Sequence, residues 1–81
     1  MKITIIYTEE EMLISIVNYQ SWREIQDKYE RFEASLGPWS IQEAISYLND
    51  EYINLSPKAE TQISNLLKGS QDKMKLTFND Q

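Results

Sequence analysis

The chain has no cysteine and no histidine. Without cysteine it forms no disulfide and offers no thiolate for zinc. Without histidine it lacks the commonest general base and the commonest metal ligand. Ser-His-Asp and Cys-His catalysis are both excluded. No Gly-rich phosphate loop and no Asp-x-Asp-x-Asp-Gly calcium loop occurs in the sequence. Asp50-Glu51 is a pair of carboxylates, but helical neighbours point about 100° apart and do not converge on one bond. The reading is therefore non-enzymatic, with no cofactor and no metal.

Glycine and proline are scarce, two of each, which leaves little room for long loops. Long apolar runs are missing as well, because Glu9-Glu10-Glu11 interrupts the Ile-rich start. No signal peptide and no transmembrane span is expected, and a cytoplasmic location is the default. Positive charge is in short supply. Eight Lys and Arg against thirteen Asp and Glu give a formal net charge of −5. A molecule of this charge repels nucleic acid and anionic membrane as a whole.

What is present suffices for one domain spanning residues 1–81. The hydrophobic fraction is 41%, with two Trp, five Tyr and two Phe, which argues for a packed core. A chain this size buries roughly 60–65% of its unfolded surface, so it folds without a wide margin of stability.

One helix-start signal is written three times: Thr8-x-x-Glu11, Ser21-x-x-Glu24 and Ser40-x-x-Glu43. In such a capping box the hydroxyl accepts from the N3 backbone N–H, and the N3 Glu reaches back to the N-cap N–H. Ser56-Pro57 is a fourth start, with Pro at the first helical position. These signals predict helices over about 9–19, 22–36, 41–53 and 57–68. The second carries the seam Trp22, Ile25, Tyr29, Phe32 and Leu36, closed by Gly37 as a left-handed cap and Pro38 as a stop. Residues 2–7 and 73–79 alternate as strands. Backbone groups need partners, so the two termini are expected to pair with each other, within one chain or across a dimer. The expected fold is mainly α, four short helices closed by a two-stranded sheet (βααααβ). A rival keeps residues 12–19 as the second strand of a hairpin, because Ile14, Ile16 and Val17 are β-branched. The wide apolar surface of the 9–19 segment also allows a homodimer.

The candidate site lies on the third expected helix. Between Arg31 and Lys58 there is no positive charge, while Glu33, Glu43, Asp50 and Glu51 fall inside that interval. Glu43, Tyr47 and Asp50 share the face away from the expected core, with Glu51 at its edge. An exposed Tyr among unpaired carboxylates suits docking on a basic protein surface. Trp39, in the linker Gly37-Pro38-Trp39-Ser40, either caps a helix junction or joins this patch. The bland alternative is a solvated helix face. Glu9-Glu10-Glu11 is explained by the positive end of a helix dipole. Lys2, Lys73 and Lys75 form a small basic patch if the terminal strands pair, flanked by Asp72 and Asp80.

The favoured function is a small acidic module that binds another protein with a basic surface. Its size and charge fit an inhibitor or modulator of a host protein, of the sort phages and mobile elements use, with DNA mimicry as one route. The alternative is a ribbon-helix-helix dimer that reads DNA with Lys2, Thr4 and Ile6 of the N-terminal strand. Only fold-level analogy supports that alternative, and the net charge opposes it.

Overall fold

The structure, a computed structural model, describes residues 1–79. It is a mixed α/β fold, not the expected mainly α arrangement of four helices. The order is β1 (Lys2–Thr8), β2 (Met12–Ser15), α1 (Trp22–Lys28), β3 (Phe32–Ser40), α2 (Ile41–Glu51), α3 (Ala59–Lys68) and β4 (Lys73–Lys75). The four strands form one antiparallel sheet of order β3-β1-β2-β4. Helices α2 and α3 cover one face, where Ala44, Leu48, Ile63 and Leu66 bury against Ile3, Ile5 and Ile14. Helix α1 covers the other, where Ile25 meets Ile6 and Leu13.

The terminal strands do not pair. β1 lies in the middle, hydrogen-bonded to β2 on one side and β3 on the other, and β4 pairs with β2 at an edge. Both faces of β1 are buried, so Ile6 and Thr4 are covered as well as Ile3 and Ile5. The DNA-reading ribbon loses its premise here. β1 has no free edge, and Thr4 and Ile6 face the α1 layer. Nor do the three lysines form one patch. Lys2 pairs with Ser40, with β2 separating its strand from β4. Lys73 lies 5.4 Å over the Tyr29 ring and Lys75 reaches Glu11 at 3.5 Å. Asp80 falls outside the described residues.

The expected helix over 9–19 is a hairpin instead. Thr8 N–H donates to the Glu11 carbonyl at 2.9 Å. The Thr8 hydroxyl accepts from the N–H groups of Glu10 and Glu11 at 3.3 and 3.1 Å. The side-chain-to-N3 bond of a capping box is thus made, but inside a turn between antiparallel strands. β2 then alternates. Met12, Ile14 and Ile16 join the α2–α3 side, and Leu13 joins the α1 side. A strand buried on both faces is apolar all round, which reads like a broadly apolar helix. Leu13 and Ile14 are buried within the chain, and Met12 and Ile16 partly so. The glutamates lie on a turn, not in a first helical turn. Glu9 and Glu10 pair with Arg31 at 3.5 and 2.7 Å.

The expected helix over 22–36 stops at Lys28. Ser21 makes no capping bond, and Glu24 accepts from the N–H of Gln20 at 2.8 Å. Arg31 takes a left-handed φ of 60° and gives its carbonyl to the N–H of Glu9 at 3.0 Å. From Phe32 onward the chain is β3, paired along β1. Long-range pairing with an Ile-rich strand outweighs the local helical spacing. Gly37 does hold a positive φ, 109°, but within β3. A Cβ there would lie 2.7 Å from the Ile3 carbonyl oxygen, so the site fits only a residue without one.

The last two helices match expectation more closely. Ser40 and Glu43 form a full capping box at the start of α2, which ends at Glu51. α3 begins at Ala59, two residues after Pro57, with Lys58 as N-cap, and stops before Gly69. β4 covers only 73–75. Phe78 then bridges to Leu55. Buried Gln62 ties this return to the helix layer. It donates to the carbonyls of Pro57 and Thr77 at 2.6 and 3.0 Å and accepts from the Thr77 N–H at 3.0 Å.

Candidate functional site

The five residues singled out in the sequence sit where β3 runs into α2, and along α2. Ser40 ends the strand and caps the helix, which sets Trp39 beside the first turns of α2. Because Trp39 pairs across from Ile3, its side chain shares the helix-facing side of the sheet. The Trp39 and Tyr47 rings meet edge to face, with centroids 5.1 Å apart. Trp39 therefore belongs to β3 and is half-buried, not a loop residue.

Tyr47 is not the exposed side chain that the sequence implied. It is half-buried, and its hydroxyl turns inward to that of Tyr7 at 2.9 Å. The Tyr7 hydroxyl also lies 3.2 Å from that of Tyr52. Edge-to-face contacts extend from Tyr47 to Tyr52 and on to Phe78, at 6.3 and 5.8 Å. Such pairs add roughly 0.5–1.5 kcal/mol each beyond their buried area. The aromatic row thus fixes α2 on the sheet and fixes the position of Trp39. Burial, more than the bonds to its partners, pushes the ionisation of Tyr7 well above the ordinary tyrosine range.

Trp39 and Tyr47 form the floor of a shallow groove, with Gln42, Glu43 and Ser46 at its rim. Glu43 is held by the capping box, its carboxylate accepting from the Ser40 N–H at 3.0 Å. That bond to the Ser40 backbone holds its ionisation below the usual carboxylate range. Asp50 and Glu51 are exposed in the last turn of α2, which carries no basic residue. Among the described residues neither makes an ion pair. Carboxylates at a helix C-terminus face the negative end of the dipole. Local stability therefore does not explain them.

The structure gathers Trp39, Glu43 and Tyr47 around one groove and places Asp50 and Glu51 one to two turns beyond it. Sequence reasoning missed Gln42 and Ser46 on its rim, and Tyr7 and Tyr52 behind it. The signal for Tyr7 was available. It alternates in step with Ile3 and Ile5, which puts it on the helix-facing side of β1.

Among the described residues no helix is long and apolar enough to cross a membrane. Comparison with protein-family models, curated proteins and solved structures finds no match.

Proposed function

We propose that the chain is a small acidic module that binds another protein through the β3–α2 face. The observation that carries this reading is the groove floored by Trp39 and Tyr47 and flanked by the carboxylates of Glu43, Asp50 and Glu51. Aromatic floors supply contact area at fixed geometry, and complementary charge speeds encounter and selects the partner. The fitting partner presents an apolar side chain for the groove within a Lys- or Arg-rich surface. No positive residue lies between Arg31 and Lys58 in the sequence; Lys2, across from Ser40, is the cation that acts on Glu43. A basic surface that normally holds nucleic acid has the same chemistry, which keeps DNA mimicry within this reading.

Ser46 is exposed at the groove rim, so Ser46→Arg blocks the groove and offsets the charge of Glu43 without touching the core. Captured proteins from native lysate are compared between the unmodified chain, Ser46→Arg and an Asp27→Lys control on α1. The expected partner is retained by the control, lost with Ser46→Arg, and weakened by added salt. A partner retained by Ser46→Arg would place binding elsewhere.

A further inference from the structure

The two edges of the sheet differ. β4 is three residues long and carries Lys73 and Lys75, the short and charged form in which an edge resists further pairing. β3 is nine residues long and carries no lysine or arginine. One side of it is taken by β1. Among the described residues no backbone group of residues 33–39 bonds to any other segment. Gly37 bends the strand and Pro38 has no N–H to offer, so the open ladder is residues 33–36.

The groove of Trp39 and Tyr47 lies against this edge. Trp39 of β3 lines it together with Gln42, Glu43, Ser46 and Tyr47 of α2, and among the described residues none of β1, β2 or β4 does. Ala34, Leu36 and Trp39 pair with Tyr7, Ile5 and Ile3, which puts all three on the α2 side of β3. Ala34 is exposed there and Leu36 is half-buried, so α2 does not close over the edge. Glu43, Tyr47 and Glu51 follow one another at four-residue spacing. They therefore form one row, on the side of α2 that meets Trp39.

That row spans about 12 Å at the helical rise. In a strand, positions i and i+4 lie about 13 Å apart on one face, with i+2 between them. An extended segment with cation, apolar and cation side chains at alternate positions thus sets the apolar one against Tyr47 and Trp39 and the cations at Glu43 and Glu51. Charge selects that occupant. Among the described residues Glu33 and Glu51 make no ion pair, and Arg31 is held by Glu9 and Glu10. Lys2 acts on Glu43, though less than the bonds to Ser40 do. A second copy of the chain brings the same glutamates and a net charge of −5, so like charges oppose an edge-to-edge dimer. We infer that the open edge of β3 takes up an extended segment of the partner as a fifth strand, of pattern basic-x-apolar-x-basic, with its apolar side chain in the groove. This strand addition presupposes protein binding at the β3–α2 face and supplies the backbone ladder that holds the partner there.

The probe is the capped peptide Thr-Lys-Thr-Leu-Thr-Lys-Thr, titrated into the isotope-labelled chain and followed by NMR. Saturable shifts are expected at residues 33–36, Trp39 and Tyr47, with slower amide exchange at residues 33–36 and weaker binding as salt rises. The N–H groups of alternate strand residues point to the same edge, so the peptide is also made with each alternate set N-methylated in turn. One set should bind like the parent and the other at least about tenfold more weakly. Ser46→Arg should weaken the parent peptide, and a peptide with Glu in place of Lys should not bind. No saturable shift, or shifts that leave residues 33–36 untouched, overturns the inference. Binding lost with Ser46→Arg yet equal for both methylated sets overturns the fifth strand and leaves the groove reading standing. Binding that distinguishes the two sets yet survives Ser46→Arg overturns the groove reading itself. A dimer of the free chain with residues 33–36 protected from exchange would assign the edge to a second copy.

Discussion

The hydroxyl of Tyr7 on β1 lies 2.9 Å from the hydroxyl of Tyr47 on α2. That contact joins the central strand to the helix carrying the acidic face. Tyr52 adds a second bond to the same oxygen at 3.2 Å. Tyr7→Phe removes the shared partner and leaves two half-buried hydroxyls without it. The expected cost is about 1–2 kcal/mol, read as a lower urea midpoint with an unchanged slope. The groove should loosen as well, seen as a Trp39 emission shifted to the red.

The same cluster sets an alkaline limit. Burial raises the ionisation of Tyr7 above the ordinary value, and burial raises Tyr29 in the same direction. Above about pH 10 the unfolded tyrosines lose their protons while the folded ones keep them. The unfolded state then binds fewer protons, so stability falls as pH rises through that range. Below it these groups contribute no slope. Urea midpoints should be level with respect to tyrosine titration up to about pH 9 and should drop beyond pH 10. Tyr7→Phe should make the drop shallower. An equally steep drop in that variant would assign the limit to other groups.

Gln62 links three backbone groups of two different segments. Gln62→Leu keeps a similar volume but strands the carbonyl of Pro57 and the N–H of Thr77, while the Thr77 carbonyl keeps the Ser56 N–H at 3.2 Å. The expected loss is on the order of 2–3 kcal/mol. Amide exchange at Thr77 should speed up before exchange in β1 does, because the C-terminal return detaches first.

The three capping boxes show what local sequence can and cannot specify. At Ser40 the signal and the structure agree, since α2 is amphipathic and nothing long-range competes with it. At Thr8 the hydroxyl makes the same bond to the i+3 N–H, but two Ile-rich strands pair around it and the turn becomes a hairpin. At Ser21 the helix forms without the side-chain bond and lasts only to Lys28. The periodic seam from Trp22 to Leu36 was misleading for a physical reason. Ile25 and Phe32 do bury on a common face, but the chain reverses at Arg31 between them. At that reversal Arg31 pairs with Glu9 and Glu10 and gives its carbonyl to the Glu9 N–H, some twenty positions away, which no local pattern encodes. The same distance hides Gln62 and the Tyr7 partners. Of the five candidate residues, Glu43, Tyr47, Asp50 and Glu51 lie on α2, the helix whose capping box local sequence specifies, and Trp39 lies on β3 directly before its N-cap Ser40.

Gly37 offers a sharp test of the β3 geometry. A Cβ at this position would lie 2.7 Å from the Ile3 carbonyl oxygen and 3.0 Å from the Trp39 nitrogen, at a φ of 109°. Both are backbone atoms of paired strands and have little room to yield. Gly37→Ala is expected to cost on the order of 2–3 kcal/mol. The measurement is thermal unfolding, and a change within a few tenths of a kcal/mol would mean the β1–β3 register at Gly37, which shifts between Ile3 and Ile5, is other than described.

Asp50 and Glu51 separate stability from function most cleanly. Both are exposed in the last turn of α2, where the carbonyl end of the helix disfavours negative charge. If they served the fold, replacing them would weaken it. The dipole argument gives the opposite sign. Asp50→Lys with Glu51→Lys should raise stability, by about 0.3–1 kcal/mol per site at low salt and less as salt screens it. The same double variant should lose the basic partner retained by the Asp27→Lys control. Higher stability with weaker binding is the pattern of residues kept for recognition at some expense to the fold. A variant that is more stable and binds equally well would leave the groove of Trp39 and Tyr47 as the whole of the interface.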